Sequence, residues 1–292
     1  MSDQIPVSFS QQYADNVTLL AQQEEARLLM CVNMKKITGK RGSFDQVGSV
    51  DMVQRTSRRA DTQYVDTPHS RRWANLIPFE VADTIDEEDE VQTAVSLQSS
   101  YVKAHGAAAG RRIDQSIINA AYADADDGQE GASQVSFDAN NLVAVDFGAA
   151  APVGFSLAKW IRMKKILDSG EVPDRDRYLV IGSSQLNDDL LNDSTLTSSD
   201  YNAVKALVKG EVDSFLGFKV IRLELLPTDG SGYRKALAFQ KDGIGLLMGI
   251  APKGSVDKLP TKSNTTQLLY KVMLGAVRIE EARVVSALCL EA

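Results

Sequence analysis

Histidine and cysteine are nearly absent from this chain: His69, His105, Cys31 and Cys289 are all it carries. They lie far apart, so no zinc-finger spacing exists, and neither a metal nor a cofactor is expected. A Ser–His–Asp or Cys–His site would have to use one of two histidines, which weighs against hydrolase chemistry and for a chain that is not an enzyme. Both cysteines sit in apolar stretches, LLMCV and SALCL, and read as buried free thiols of a reducing compartment. No apolar run approaches the ~18 residues of a membrane span. The start, MSDQIPVSFSQQ, lacks the basic and apolar regions of a secretory signal. Positive charge is also short: the net charge is −7, which disfavours phosphate binding over the whole surface.

What is present has a clear order. Residues 9–37 read as one long amphipathic helix, with Phe9, Tyr13, Val17, Leu20, Leu28 and Val32 near one face and Gly39 as its stop. Residues 40–75 read as an extended two-stranded loop with too few large apolar side chains for a core of its own. Residues 34–72 carry nine Lys and Arg against four Asp, a net +5. Residues 80–90 invert the sign, with Glu80, Asp83, Asp86, Glu87, Glu88, Asp89 and Glu90 and no base. Two readings stay open: the basic loop of one subunit lies on the acidic run of another, or both are solvated.

A second long helix is expected over 96–125, weakened near Gly106 and Gly110, where small residues admit a close neighbour. Residues 126–151 read as a turn-rich excursion with short strands around Val135–Phe137 and Val143–Phe147. From 152 the pattern is mixed. A helix capped by Ser156 ends at Gly170, and strands are expected at Tyr178–Ile181, Phe218–Leu223 and Lys235–Phe239. Short helices are expected at Gln185–Leu191 and Asp200–Lys209, with strand alternation around Arg278 near the end. Regular βαβ alternation is missing, so a doubly wound nucleotide fold is disfavoured.

Three local features invite chemistry. The turn YLVIGSSQL offers Gly182, Ser183 and Ser184 at a helix start, where an anion could bind, but helix capping explains it and P-loop spacing is lacking. Asp188, Asp189 and Asp193 lack EF-hand spacing and read as a solvated helix end. The cluster His69, Arg71, Arg72, Trp73 reads as an anchor where the loop rejoins the core, or as a nucleic-acid contact with Trp73 stacking. Arg111 and Arg112 read as partners of buried or interfacial carboxylates.

A set of motifs in order then carries a resemblance. TPHSRRW, the acidic VADTIDEEDE, and SSYVKAHGAAAGRRIDQSIINAAYADA with Gly110, Arg111, Asp114, Ile117 and Ala120 resemble the major capsid proteins of tailed bacteriophages. So do SFLGFKVIRLELLP and RKALAFQKDGIGLLMG. The resemblance implies an α+β, HK97-like fold. Residues 1–40 would form the N-terminal arm and 41–90 the E-loop with its return. Residues 91–151 and 251–292 would be the peripheral domain, and 152–250 the axial domain. Spine-helix positions would be Tyr101, Arg111, Asp114 and Ile117. Inter-subunit contacts would be made by Arg55, Arg58, Arg59, Arg71, Arg72 and Trp73, and by Asp86, Glu87, Glu88 and Asp89. The implied function is self-assembly into pentamers and hexamers of an icosahedral virion head around double-stranded DNA, put together in the host cytoplasm. Scaffolding, portal and decoration proteins are the implied further partners. A nanocompartment shell of the same fold, and a nucleic-acid-binding protein using residues 40–72, are the alternatives.

Overall fold

The computed structural model describes residues 22–59, 61–85, 97–190, 214–262 and 264–291. The chain opens with β1 (Asn33–Lys36), β2 (Arg41–Val47), β3 (His69–Asn75) and β4 (Ile77–Ile85), followed by helix α1 (Leu97–Tyr122). Short strands β5 (Ala125–Asp127), β6 (Ser133–Val135) and β7 (Leu142–Val143) precede helix α2 (Leu157–Ser169). Then come β8 (Arg177–Ile181), β9 (Ser214–Phe215), β10 (Phe218–Arg222), β11 (Arg234–Gln240), β12 (Ile244–Leu259), β13 (Thr265–Arg278) and β14 (Val284–Cys289). The α+β expectation holds. Two units share these elements: 1–26, 78–112 and 250–273 form one, and 27–77, 113–249 and 274–292 the other.

In the larger unit, β8 is buried at every position, as an unbroken apolar run on a covered strand should be. It lies inside a six-stranded sheet of order β7-β14-β11-β8-β10-β9. Helix α2 lays Trp160, Met163 and Leu167 on it, and these meet Leu179, Ile181, Phe218, Ala236 and Val285 in one core. The helix starts where Ser156 Oγ accepts the Lys159 amide at 3.4 Å, and it ends at Gly170. Lys159 lies on the buried face, and its ammonium donates to the carbonyls of Val153 (2.7 Å), Gly154 (2.9 Å) and Leu288 (2.8 Å). Burial pulls its pKa below the usual lysine range. The expected helix at Gln185–Leu191 is a wide-turned one over Gln185–Leu190. The helix expected at Asp200–Lys209, and Asp193, lie outside the described residues.

Three expectations need correction. Residues 22–37 are not helical: a single tight turn at Leu29–Cys31 leads into β1, which pairs in parallel with β12 from Asn33↔Gly245 to Lys36↔Met248. Residues 9–21 lie outside the described part. The reason is Asp114, wholly buried on α1, whose two carboxylate oxygens accept the backbone N–H groups of Arg27 and Leu28, both at 2.9 Å. With the two amides held there, Leu28 and Val32 are buried without a helix. The strand expected at Val143–Phe147 stops at Val143. The strand expected around Val135–Phe137 lies two residues earlier, at Ser133–Val135. The 16-residue β12 neighbours the 14-residue β13 in a sheet of order β1-β12-β13-β4. Helix α1 runs unbroken past Gly106 and Gly110.

Both thiols are free and buried. Burial pushes Cys31 up to about 11 and Cys289 up to about 12. Replacing Asp114 by Ala strands the buried Leu28 amide and the part-buried Arg27 amide, so Asp114→Ala is expected to lose about 2–4 kcal/mol in urea unfolding. Asp114→Asn, which keeps one carbonyl acceptor, should lose roughly half of that.

Candidate assembly site

An arm dominates the larger unit's candidate chemistry. Strands β2 and β3 pair antiparallel from Arg41↔Asn75 to Val47↔His69, and the last rung beyond them is Gly48 N–H to the Pro68 carbonyl at 2.8 Å. No strand continues from 49 to 67 among the described residues. Apolar side chains in this tip stand in solvent: Met52 is 101% exposed, Tyr64 94%, and Val50, Val53 and Val65 about half. A two-stranded ribbon is marginal in water unless something packs on it. Arg55 turns back onto the carbonyls of Ser57, at 2.9 Å, and Arg58. Arg58 and Arg59 are exposed.

The base of the arm is held in another way. Phe44 is buried and its ring lies so close to Gly245 that a Cβ there would sit 2.5 Å from it, which is why this position of β12 is glycine. β3 also pairs with β5, and the small sheet runs β2-β3-β5-β6. Arg72, 8% exposed, reaches Asp127 at 2.8 Å, the Ile279 carbonyl at 3.2 Å and Glu281 at 3.7 Å. Trp73 donates its indole N–H to the Gly128 carbonyl at 2.9 Å. The guanidinium groups of Arg41 and Arg71 flank the Trp73 ring at 5.0 and 5.5 Å. Arg71 pairs with Asp45 at 2.5 Å on the exposed side. His69, opposite Val47, is exposed.

Behind this base sits a residue that sequence reading placed on the outward side of an alternation. Arg278 is completely buried. It donates to the carbonyls of Ala121 (2.9 Å), Ala123 (2.7 Å) and Val135 (3.0 Å), and it pairs with Glu281. The first two carbonyls close the C-terminal end of α1, where a cation also meets the helix dipole. Burial pushes the Glu281 carboxyl above the usual range, against the pull of Arg278 and Arg72. Arg177, buried beside α2, similarly gathers the Pro173 and Val172 carbonyls and Asp168. The only sequence signal for Arg278 is its place between Val277 and Ile279, both buried.

The remaining candidates separate. Tyr101 on α1 is 38% exposed, whereas Ile117 and Asp114 are fully buried. Arg111 donates to the Gln22 side chain at 2.7 Å and the Gln23 carbonyl at 3.3 Å. Arg112 lies 3.9 Å over the Phe79 ring. Asp86, Glu87, Glu88 and Asp89 lie outside the described residues. The turn after β8 offers no anion cradle: Gly182 N–H donates to Gln185 Oε1 at 2.5 Å and Ser183 N–H to Glu224 Oε1 at 2.6 Å. That hydrogen bonding holds the Glu224 carboxyl below the usual range. Asp189 accepts the Phe155 amide at 2.6 Å instead of facing a metal. Among the described residues no acidic, histidine or cysteine group is placed to hold a metal ion, and no helix is long and apolar enough to cross a membrane.

Two neighbouring arginines of β3 therefore carry different weight. Arg72→Ala takes the ion-pair partner from Asp127 and leaves Glu281 with Arg278 alone, and it is expected to cost about 1–3 kcal/mol. Arg71→Ala breaks an exposed pair and should cost about 0–1 kcal/mol. Chemical unfolding of the two variants side by side checks the difference.

Comparison with known proteins fits this arrangement of an anchored arm on an α+β body. The fold matches the capsid of cyanophage P-SCSP1u (TM-score 0.75, 17% identity, 98% of this chain and 94% of that one). It matches the capsid of Ralstonia phage GP4 as well (TM-score 0.75, 10% identity, 100% and 98%). The capsid of a native gene transfer agent particle follows at TM-score 0.66 and 11% identity, over 98% and 97%. No curated protein sequence matches the chain. A family model described as phage capsid protein matches residues 5–291, and the chain, a structural subunit with the HK97-like fold, belongs to that family.

Proposed function

We propose that this virion protein builds the icosahedral head of a tailed phage from pentamers and hexamers of itself, enclosing double-stranded DNA without reading its sequence. The observation that carries this reading is the arm. Its base is locked by Arg72, Trp73 and Phe44, while its tip holds Met52, Tyr64 and three valines in water. Exposed apolar surface on a rigid mount stabilises nothing in an isolated subunit. It gains burial only when a neighbouring copy covers it.

In this proposal residues 1–40 are the N-terminal arm and 41–90 the E-loop. Residues 91–151 and 251–292 form the peripheral domain around α1, and 152–250 the axial domain at the centre of each capsomer. Arg55, Arg58 and Arg59 of one subunit meet Asp86, Glu87, Glu88 and Asp89 of the next, where charge sets register more than affinity. The net charge of −7 suits a container through which packaged DNA must slide. Assembly in the host cytoplasm, with scaffolding, portal and decoration proteins as partners, belongs to the same reading.

Negative-stain microscopy with size-exclusion chromatography of the purified chain is expected to show capsomer rings or closed shells. Reversing charge at the tip, with Arg58→Glu and Arg59→Glu together, should leave the subunit folded by circular dichroism but reduce particle yield severely. A chain that stays monomeric even with candidate scaffold supplied would contradict the proposal.

A further inference from the structure

The smaller unit presents a long open strand edge. In the sheet of order β1-β12-β13-β4, β1 accompanies β12 only from Gly245 to Met248. Past that point no strand among the described residues lies on the far side of β12. Residues 250–258 are exposed except for the half-buried Ser255. Free N–H and C=O groups along such an edge are a template for another strand. Pro252 sets which groups face outward. A proline inside a strand turns its missing N–H away from the ladder, so the backbone groups of the even-numbered residues point out. In an antiparallel pairing across this edge the even positions would be hydrogen-bonded, and the odd positions would bring their side chains closest.

The odd positions carry the charges that select a partner, Lys253 and Asp257, both exposed. Laid antiparallel against a second copy of itself with Ser255 opposite Ser255, the strand sets Lys253 opposite Asp257 and, by symmetry, Asp257 opposite Lys253. Ala251 then meets Leu259 on the same face. Registers centred at Gly254 or Val256 pair neither charge. Those centred at Lys253 or Asp257 set like charges face to face, which is destabilising. One register of the self-pairing is therefore favoured over its neighbours. On the other face Val256, 53% exposed, gains cover from the second strand.

We propose that residues 250–259 of β12 pair antiparallel with the same residues of a second subunit across a two-fold axis, with Ser255 at the centre and a Lys253–Asp257 ion pair on either side. Such a contact is isologous, whereas the contacts that close a pentamer or hexamer run head to tail. The pairing therefore joins a subunit of one ring to a subunit of the next. That place in the assembly rests on the shell reading; the pairing itself does not.

The test uses the full-length chain carrying Ser255→Cys under mild oxidation. Both native thiols are buried and stay silent. Directly opposed cysteines of a closely spaced antiparallel pair can bridge, so a disulfide-linked dimer is expected on a non-reducing gel. Thr261→Cys, exposed but six residues from the centre, should give none, because the two copies of that position would stand about 40 Å apart at ~3.4 Å per residue. In the Ser255→Cys background, Lys253→Asp or Asp257→Lys alone should cut the dimer yield several-fold, and the two together should restore it. Equal bridging at 255 and 261, or a double exchange no better than either single one, would overturn the pairing. So would absence of bridging at 255, and rings seen in the microscope would then leave the shell reading standing. A Ser255→Cys dimer in a chain that forms no rings would uphold the pairing and contradict the shell reading.

Discussion

A buried positive charge governs this molecule. Taking an arginine out of water costs several kcal/mol, and that cost is offset only where each N–H finds an acceptor in good geometry. Arg278 meets the condition by drawing in the end of α1 at Ala121 and Ala123, the short strand β6 at Val135, and Glu281. Glu281 in turn faces Arg72, which carries the arm. Three chain segments distant in sequence are thereby tied to one guanidinium. The direction in which the arm leaves the body follows from their placement. Lys159 and Arg177 repeat the device around α2, each satisfied mainly by backbone carbonyls.

A shell subunit has to combine two opposite requirements. It must fold alone well enough to survive until it meets its neighbours, and it must keep surface uncommitted for them. Here the two are divided along β2 and β3. The base of the ribbon is paid for by Phe44, Trp73 and Arg72, while the tip beyond Gly48 and Pro68 contributes no buried core. Belonging to the phage capsid family gives that division a purpose, and the fold's likeness to capsid subunits at 10–17% identity shows that the architecture tolerates extensive change in sequence.

Much of the fold was legible in the sequence wherever local chemistry and packing agree. Ser156 and Gly170 bracket α2, the alternation and turns of 40–75 describe a ribbon, and the small residues before Arg111 mark a close approach on α1. The errors arise where a distant residue decides. Leu28 and Val32 share a helical face with Phe9 and Tyr13, but Asp114 takes the amides of Arg27 and Leu28 and turns the chain into β1. Glycines, Pro252 and lysines along β12 look like punctuation, yet β13 pairs alongside and the strand continues. Arg278 looks like an outward residue between Val277 and Ile279, since its partners at Ala121 and Val135 lie over 140 residues away. Trp73 and Arg72 were readable as an anchor because a tryptophan beside arginines, at the point where a ribbon rejoins the body, has few other uses.

The most direct measurement is amide hydrogen exchange on the full-length Arg278→Met variant. If the buried guanidinium holds the arm, protection should fall together at the end of α1, at β5 and β6, and along Arg41–Val47 and His69–Asn75, with the core sheet around β8 left protected. Loss confined to the end of α1, with the ribbon's base as protected as before, would show that the arm is held without Arg278 and would contradict that dependence.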